Sequence, residues 1–221
     1  MAKFVFYYAP MGGRKTAEAI MTAYNYEENG LTPLCMSPSI DNRYGTGKWT
    51  SRVGISRDVE VFSKDTNLIS MYLHLEHLQK QYGGSKYDVI MIDECQFLTS
   101  DQVEQLAYIV DYYGVPVLCY GLMTDFKSHL FEGSKRLIEM GAKLREIISV
   151  GYDGKKTVMN GKIVDGKLVR DGETIQIGGN ELYKPMSRKH YFEGVWKDGW
   201  KSTTKKRTDA EGTETKVGLS E

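Results

Sequence analysis

Apolar residues along this chain fall into two patterns. Short continuous runs at 4–8, 34–36, 59–62, 87–93 and 115–121, with another near 147–150, have the look of buried parallel strands. Between them, 15–28, 69–82, 100–113 and roughly 129–140 carry apolar residues at helical spacing. Asn29-Gly30, Gly83-Gly84 and Gly141 stand just past three of these segments, where a left-handed cap ends a helix. Ser100 is a natural N-cap for the third helix. Alternation of this kind up to residue 148 predicts an α/β fold, a mostly parallel sheet with helices on both faces. The polar, basic segment 42–52 reads as a mobile surface loop whose Arg43, Lys48 and Arg52 are placed to meet phosphates.

After Val150 the pattern changes. Asp-Gly or Asn-Gly recurs at 153, 160, 165 and 171, with Gly-Gly at 178, and short alternating stretches (KTVM, KIV, KLV, TIQI) lie between. This predicts a small β-hairpin module over 149–200 appended to an α/β domain over 1–148. Residues 201–221 have scarcely any apolar content and read as a disordered tail.

Composition narrows the picture. The 221 residues can hold one full domain and a small appendage, and 29 basic against 29 acidic residues point to neither nucleic acid nor membrane. The apolar runs are shorter than a membrane span, and the start lacks the apolar core of a signal peptide. Cys35, Cys95 and Cys119 are odd in number, widely spaced and set in apolar runs, so buried free thiols in a reducing cytoplasm are expected. His74 and His77 read as a polar helix face rather than a metal pair.

Two motifs carry chemistry. In YAPMGGRKT the first strand runs into a glycine loop, Lys15-Thr16 and a helix. That layout cradles nucleotide phosphates: backbone N–H groups and the helix N-terminus face the anion, Lys reaches the β/γ oxygens, and the hydroxyl holds Mg²⁺. Taken alone, it is also compatible with an ordinary strand–turn–helix start. The second motif is YDVIMID followed by Glu94. Adjacent carboxylates at the carboxyl end of a central strand lie where open α/β sheets bind ligands, and can serve an anchored Mg²⁺ and a nucleophile. The alternative, that Asp93 and Glu94 cap a helix, is weakened by the later helix start.

These motifs resemble one family over most of the chain: thymidine kinases that join a RecA-like P-loop domain to a small lasso domain, with bacteriophage members especially alike. The matching segments are YAPMGGRKT, IDNRY, SRVGI, IDECQF, YGLMTDF, LFEGSKRL and IQIGGNELY. The resemblance implies transfer of a phosphoryl group from ATP, with Mg²⁺, to the 5′-hydroxyl of thymidine. It implies Glu94 as general base, and Ala9, Pro10, Met11, Gly12, Gly13, Arg14, Lys15 and Thr16 around the ATP phosphates. Asp41, Arg43, Asp93 and Gln96 join that phosphate and metal side. Thr16 would ligate Mg²⁺ directly and Asp93 through water. Met11, Phe97, Leu122, Phe126 and Phe131 would wall the thymine, with Thr174, Ile175, Gln176, Ile177, Gly178 and Tyr183 closing over it from the lasso. A homotetramer in the cytoplasm (a host's, if phage-encoded) and feedback inhibition by thymidine triphosphate are also implied, without nucleic-acid or membrane partners.

Three departures from the family pattern stand out. Arg14 replaces the glycine before the P-loop Lys, where a side chain could crowd the phosphates or strain the loop, or, with Gly12 and Gly13 taking the flexible positions, turn outward or add positive charge. Ala9 replaces the first glycine. Gly151, Asp153 and Ser187 stand where the family keeps zinc-binding cysteines, and His190 alone retains a ligand type, so no structural zinc is expected. Arg14 also motivates an alternative, a catalytically impaired nucleotide-binding homologue of the same fold. A RecA-like ATPase acting on DNA is a third reading, opposed by the balanced charge.

Overall fold

A computed structural model describes residues 2–40, 47–151, 154–165, 167–170 and 182–194. Strand β1 (Phe4–Tyr8) leads through the glycine loop into helix α1 (Lys15–Glu28), and β2 (Pro33–Pro38) follows. A two-stranded hairpin, β3 (Lys48–Thr50) with β4 (Ser56–Asp58), precedes β5 (Glu60–Phe62) and α2 (Leu68–Gln81). Next come β6 (Val89–Ile92), a 3-10 turn at Cys95–Phe97, and α3 (Ser100–Tyr108), which widens into a π turn over Ile109–Tyr113. Strands β7 (Val117–Gly121) and β8 (Lys143–Glu146) flank α4 (Glu132–Glu139). The main sheet is parallel throughout, in the order β5-β2-β6-β7-β1-β8.

The period of two along the strands accounts for both covered faces. Phe6, Ile90, Ile92, Val117 and Cys119 point to one side, into a core shared with Leu68 and Tyr72 of α2, Val103 and Leu106 of α3, and Leu137 of α4. Val5, Val89, Met91, Leu118 and Tyr120 point to the other, against Ala19, Ile20 and Ala23 of α1. Each fully buried side chain of this size stabilises the fold by about 1.5–3 kcal/mol.

Several boundaries differ from the sequence reading for physical reasons. Helix α3 is capped by Thr99, not Ser100: the Thr99 hydroxyl accepts from Gln102 N, and the Gln102 side chain reaches back to Thr99 N. Helix α4 begins at Glu132 rather than near residue 129, because Asp125 holds the preceding turn by accepting from the backbone of Lys127 and His129. The last parallel strand is Lys143–Glu146, not 147–150. It is an edge strand with every residue exposed, and such strands carry charge instead of an apolar run. Within 42–52, residues 48–50 are strand, and Trp49 is buried against α1, so this part is anchored rather than a mobile loop. Arg57 of β4 adds a forked ion pair to Glu27 of α1. The three cysteines are free and buried, as expected.

The appended module is a three-stranded antiparallel sheet, β10 (Lys167–Val169), β9 (Met159–Val164) and β11 (Tyr183–Met186), followed by α5 (Arg188–Glu193). Asp165 sits at φ 48° in the turn joining β9 to β10, in keeping with its Asp-Gly signal. Asn160-Gly161, in contrast, is no turn. It lies inside β9, where a Cβ on Gly161 would come 2.2 Å from Met186 Cε and 2.8 Å from Leu168 Cδ1. Gly161 is there for close packing and Asn160 for its amide. Tyr152, Asp153 and residues 171–181 and 195–221, with the proposed tail, lie outside the described residues.

Candidate active site

The carboxyl ends of β1, β6 and β7 are adjacent, so the loops after them meet at one edge of the sheet. The loop after β1 is shaped by its own side chains. Lys15 is buried and folds back to donate to the carbonyls of Ala9 (3.3 Å) and Pro10 (3.1 Å). Burial pulls its ammonium below the ordinary value, while Glu94 and Asp93 act to raise it. A Cβ on Gly13 would come 2.4 Å from Ala9 Cβ and 2.9 Å from the Pro10 carbonyl, so Ala9 is tolerated because Gly13 yields the space. On Gly12, at φ +73°, a Cβ would come 3.3 Å from Arg52 Nη1 and 3.9 Å from Pro185, so the hairpin and β11 both lean over this loop.

Arg14 turns outward. It adopts the left-handed conformation (φ 62°, ψ 15°) that a glycine would take, and its Nη2 donates 3.1 Å to the Ile148 carbonyl. The phosphate side of the loop is therefore not crowded. Arg14→Gly should change kcat by less than about threefold, since it removes left-handed strain of about 1–2 kcal/mol and one exposed hydrogen bond. A rise of tenfold or more in steady-state turnover would show that Arg14 obstructs the site.

At the end of β6, Asp93 is fully buried and Glu94 half-buried. Burial pushes the Asp93 carboxyl up to about 7, and the Glu94 charge adds to this, while the neighbouring Thr16 hydroxyl acts to lower it. Asp93 Oδ1 has no partner among the described residues. Glu94 is left-handed at φ 53° and makes no side-chain cap on the 3-10 turn, which removes the capping alternative. Its Oε2 instead accepts from Gln96 Nε2, and Gln96 Oε1 accepts from Leu122 N at 2.9 Å. Gln96 thus ties Glu94 to the loop after β7. A Cβ on Gly121 would come 2.7 Å from that same Oε1, so glycine is needed at the end of β7.

The apolar residues gather on this side. Phe97 and Phe131 meet edge to face with centroids 6.2 Å apart, and Phe126 packs against Tyr183 at 6.0 Å. Leu122 is held by Gln96 on its N–H and by Ser134 Oγ, 2.6 Å from its carbonyl. The Tyr183 hydroxyl is buried without a partner among the described residues, and burial raises its pKa. Asp41, Arg43, Thr174, Ile175, Gln176, Ile177 and Gly178 lie outside the described residues.

Sequence matching extends this geometry. The family model described as Thymidine kinase matches residues 2–191. The chain belongs to the thymidine kinase family. A thymidine kinase of Shewanella oneidensis is 43% identical over 197 residues, spanning 89% of this chain and 100% of that protein. One from Pasteurella multocida is 43% identical over 196 residues (88% and 99%), and one from Vibrio vulnificus 39% over 198 (89% and 100%).

Around the same cleft of this family member stand residues to which sequence reasoning gave no role. Asn160 is buried in β9 and bonds to both Met11 and Thr124. Its only sequence signal, the Asn-Gly pair, pointed to a turn. Ser134 and Asp125, inside the LFEGSKRL and YGLMTDF segments, hold the loop after β7 through backbone groups.

Proposed function

We propose that this cleft transfers the γ-phosphoryl group of ATP to the 5′-hydroxyl of thymidine, giving thymidine monophosphate and ADP. The observation that carries the reading is the meeting of Lys15, Asp93 and Glu94 at one sheet edge, with a buried, unpartnered Asp93 oxygen beside Thr16. Glu94, held by Gln96, takes the proton of the 5′-hydroxyl as its oxygen bonds to the γ-phosphorus and the bond to the β–γ bridging oxygen breaks. Lys15, now bonded to the Ala9 and Pro10 carbonyls, exchanges these for phosphate oxygens and offsets their charge. Thr16 and Asp93 fit a Mg²⁺ site, since an oxygen-only donor pair with one free buried acceptor suits a hard cation. Mg²⁺ bound there would neutralise charge on the β- and γ-phosphates. Arg52, leaning over Gly12, adds positive charge on the same side. Phe97, Leu122, Phe126, Phe131 and Met11 wall the base, and the unpartnered Tyr183 hydroxyl offers it a hydrogen bond. Asp41, Arg43 and residues 174–178 keep the roles that the resemblance implies.

The family resemblance also supports a homotetramer in the cytoplasm with feedback inhibition by thymidine triphosphate. Among the described residues no helix is long and apolar enough to cross a membrane. The test is direct: purified chain with ATP, Mg²⁺ and thymidine should yield thymidine monophosphate and ADP in equal amounts. No product would overturn the reading.

We further infer that the appended module holds without zinc. Ser187 caps α5 by accepting from His190 N, and Ile163, Met186 and Tyr191 form a small core. Tyr191 Oη donates 2.8 Å to the Phe126 carbonyl, and Arg170 stacks over the Tyr191 ring. Elemental analysis should find well under one zinc per chain, and a strong chelator should leave Tm unchanged. Stoichiometric zinc would refute this.

A further inference from the structure

Asn160 is 4% exposed at the centre of the appended sheet, yet both ends of its amide bind the other half of the molecule. Oδ1 accepts from Met11 N at 2.8 Å, in the phosphate loop, and Nδ2 donates to the Thr124 carbonyl at 2.9 Å, in the loop after β7. Met11 N offers only a donor and the Thr124 carbonyl only acceptors, so a flipped amide would leave both unsatisfied. One side chain therefore ties three elements, each of which forms a wall of the cleft. The contact is buried on the Asn160 side and half-buried on the others, so breaking it costs more than a fully exposed bond would. Nearby, Pro185 of β11 lies against Gly12, a second contact between module and phosphate loop.

The consequence is a link between the two substrate sites. Backbone N–H groups of a phosphate loop bind anions only when the loop is correctly shaped. Here the shape at Met11 depends on the seating of β9, and β9 belongs to the module that covers the nucleoside side. We propose that Asn160 is a positioning residue that couples nucleoside binding to the geometry of the phosphate loop, so that thymidine and ATP bind with positive cooperativity. This rests on the kinase reading above. A nucleoside that favours the seated module sets Met11 N through Asn160, and ATP bound to the shaped loop returns the same free energy to the nucleoside, as linkage requires.

Binding, not turnover, provides the test. Thymidine affinity is measured by calorimetry with and without saturating β,γ-imido ATP and Mg²⁺, in the full chain and in Asn160→Ala. In the unaltered chain the analogue should tighten thymidine about tenfold, and thymidine should tighten the analogue equally. In Asn160→Ala both factors should fall to within about twofold of one. Hydrogen exchange of peptides spanning Met11 gives an independent readout: thymidine alone should slow exchange there in the unaltered chain and not in the variant. Should Asn160→Ala lose its melting transition, Asn160→Thr, which suits a strand and keeps a hydroxyl for one partner, carries the same measurements. Retained coupling in a folded variant, or absence of coupling in the unaltered chain, overturns the proposal and leaves the kinase reading intact. Failure of the unaltered chain to bind thymidine at all overturns both.

Discussion

Replacing Glu94 by Gln should lower kcat by ~10²–10⁴-fold while changing thymidine affinity by less than about threefold. The split follows from how Glu94 is held. Its Oε2 accepts from Gln96 Nε2, and Gln96 is locked in turn by Leu122 N, so a Gln at 94 can present its own amide oxygen to the same donor. The left-handed backbone at φ 53° treats Glu and Gln alike, since both carry the same Cβ. Position and shape survive, and only the capacity to accept the hydroxyl proton is lost. Steady-state kinetics with calorimetric affinity for thymidine would measure both halves. Near-normal turnover would mean that the proton leaves by another route, and equal losses in kcat and affinity would mean that Glu94 binds rather than reacts.

Asp93→Asn should abolish most activity, by about 10²-fold or more, and at the same time make the free protein more stable. Burial, with Glu94 next in order, raises the Asp93 carboxyl to about 7. The unfolded chain loses this proton near ~3.9. Between those values the folded state binds more protons than the unfolded state, so stability falls as pH rises through this window and is flat above it. An amide at 93 carries no such penalty, while Thr16 can still bond to it. The gain in Tm of Asp93→Asn over the unaltered chain should therefore be about 5–10 °C larger at pH 8 than at pH 5. Calorimetric scans of the ligand-free protein at both pH values would decide it. A variant less stable at pH 8, or a difference independent of pH, would show that Asp93 is better satisfied in the folded state than its unpartnered Oδ1 implies.

Much of this was legible in the chain because it is local. Strand β1 and helix α1 lie at the residues where the pattern puts them, since a continuous apolar run, a glycine loop and a helical period each act within a few residues. The glycine loop and the acidic pair likewise lie where the motifs put them, past the ends of β1 and β6, because each is built from residues adjacent in sequence. What tertiary structure alone decided has a common cause: a residue's partner lies far along the chain. Strand β8 is strand because β1 offers it a ladder, and its exposed charged residues carry no period of their own. Arg14 turns outward because the Ile148 carbonyl, remote in sequence, receives its guanidinium. Gln96 joins Glu94 to the loop after β7 because Leu122 N bonds to the other end of its amide. Asn160-Gly161 carries the local signal of a turn, yet Met186 and Leu168 leave no room for a Cβ at 161, and Met11 and Thr124 claim the amide at 160. Turn propensity is worth about 1 kcal/mol, and a strand paired on both sides with a buried, doubly bonded amide outweighs it.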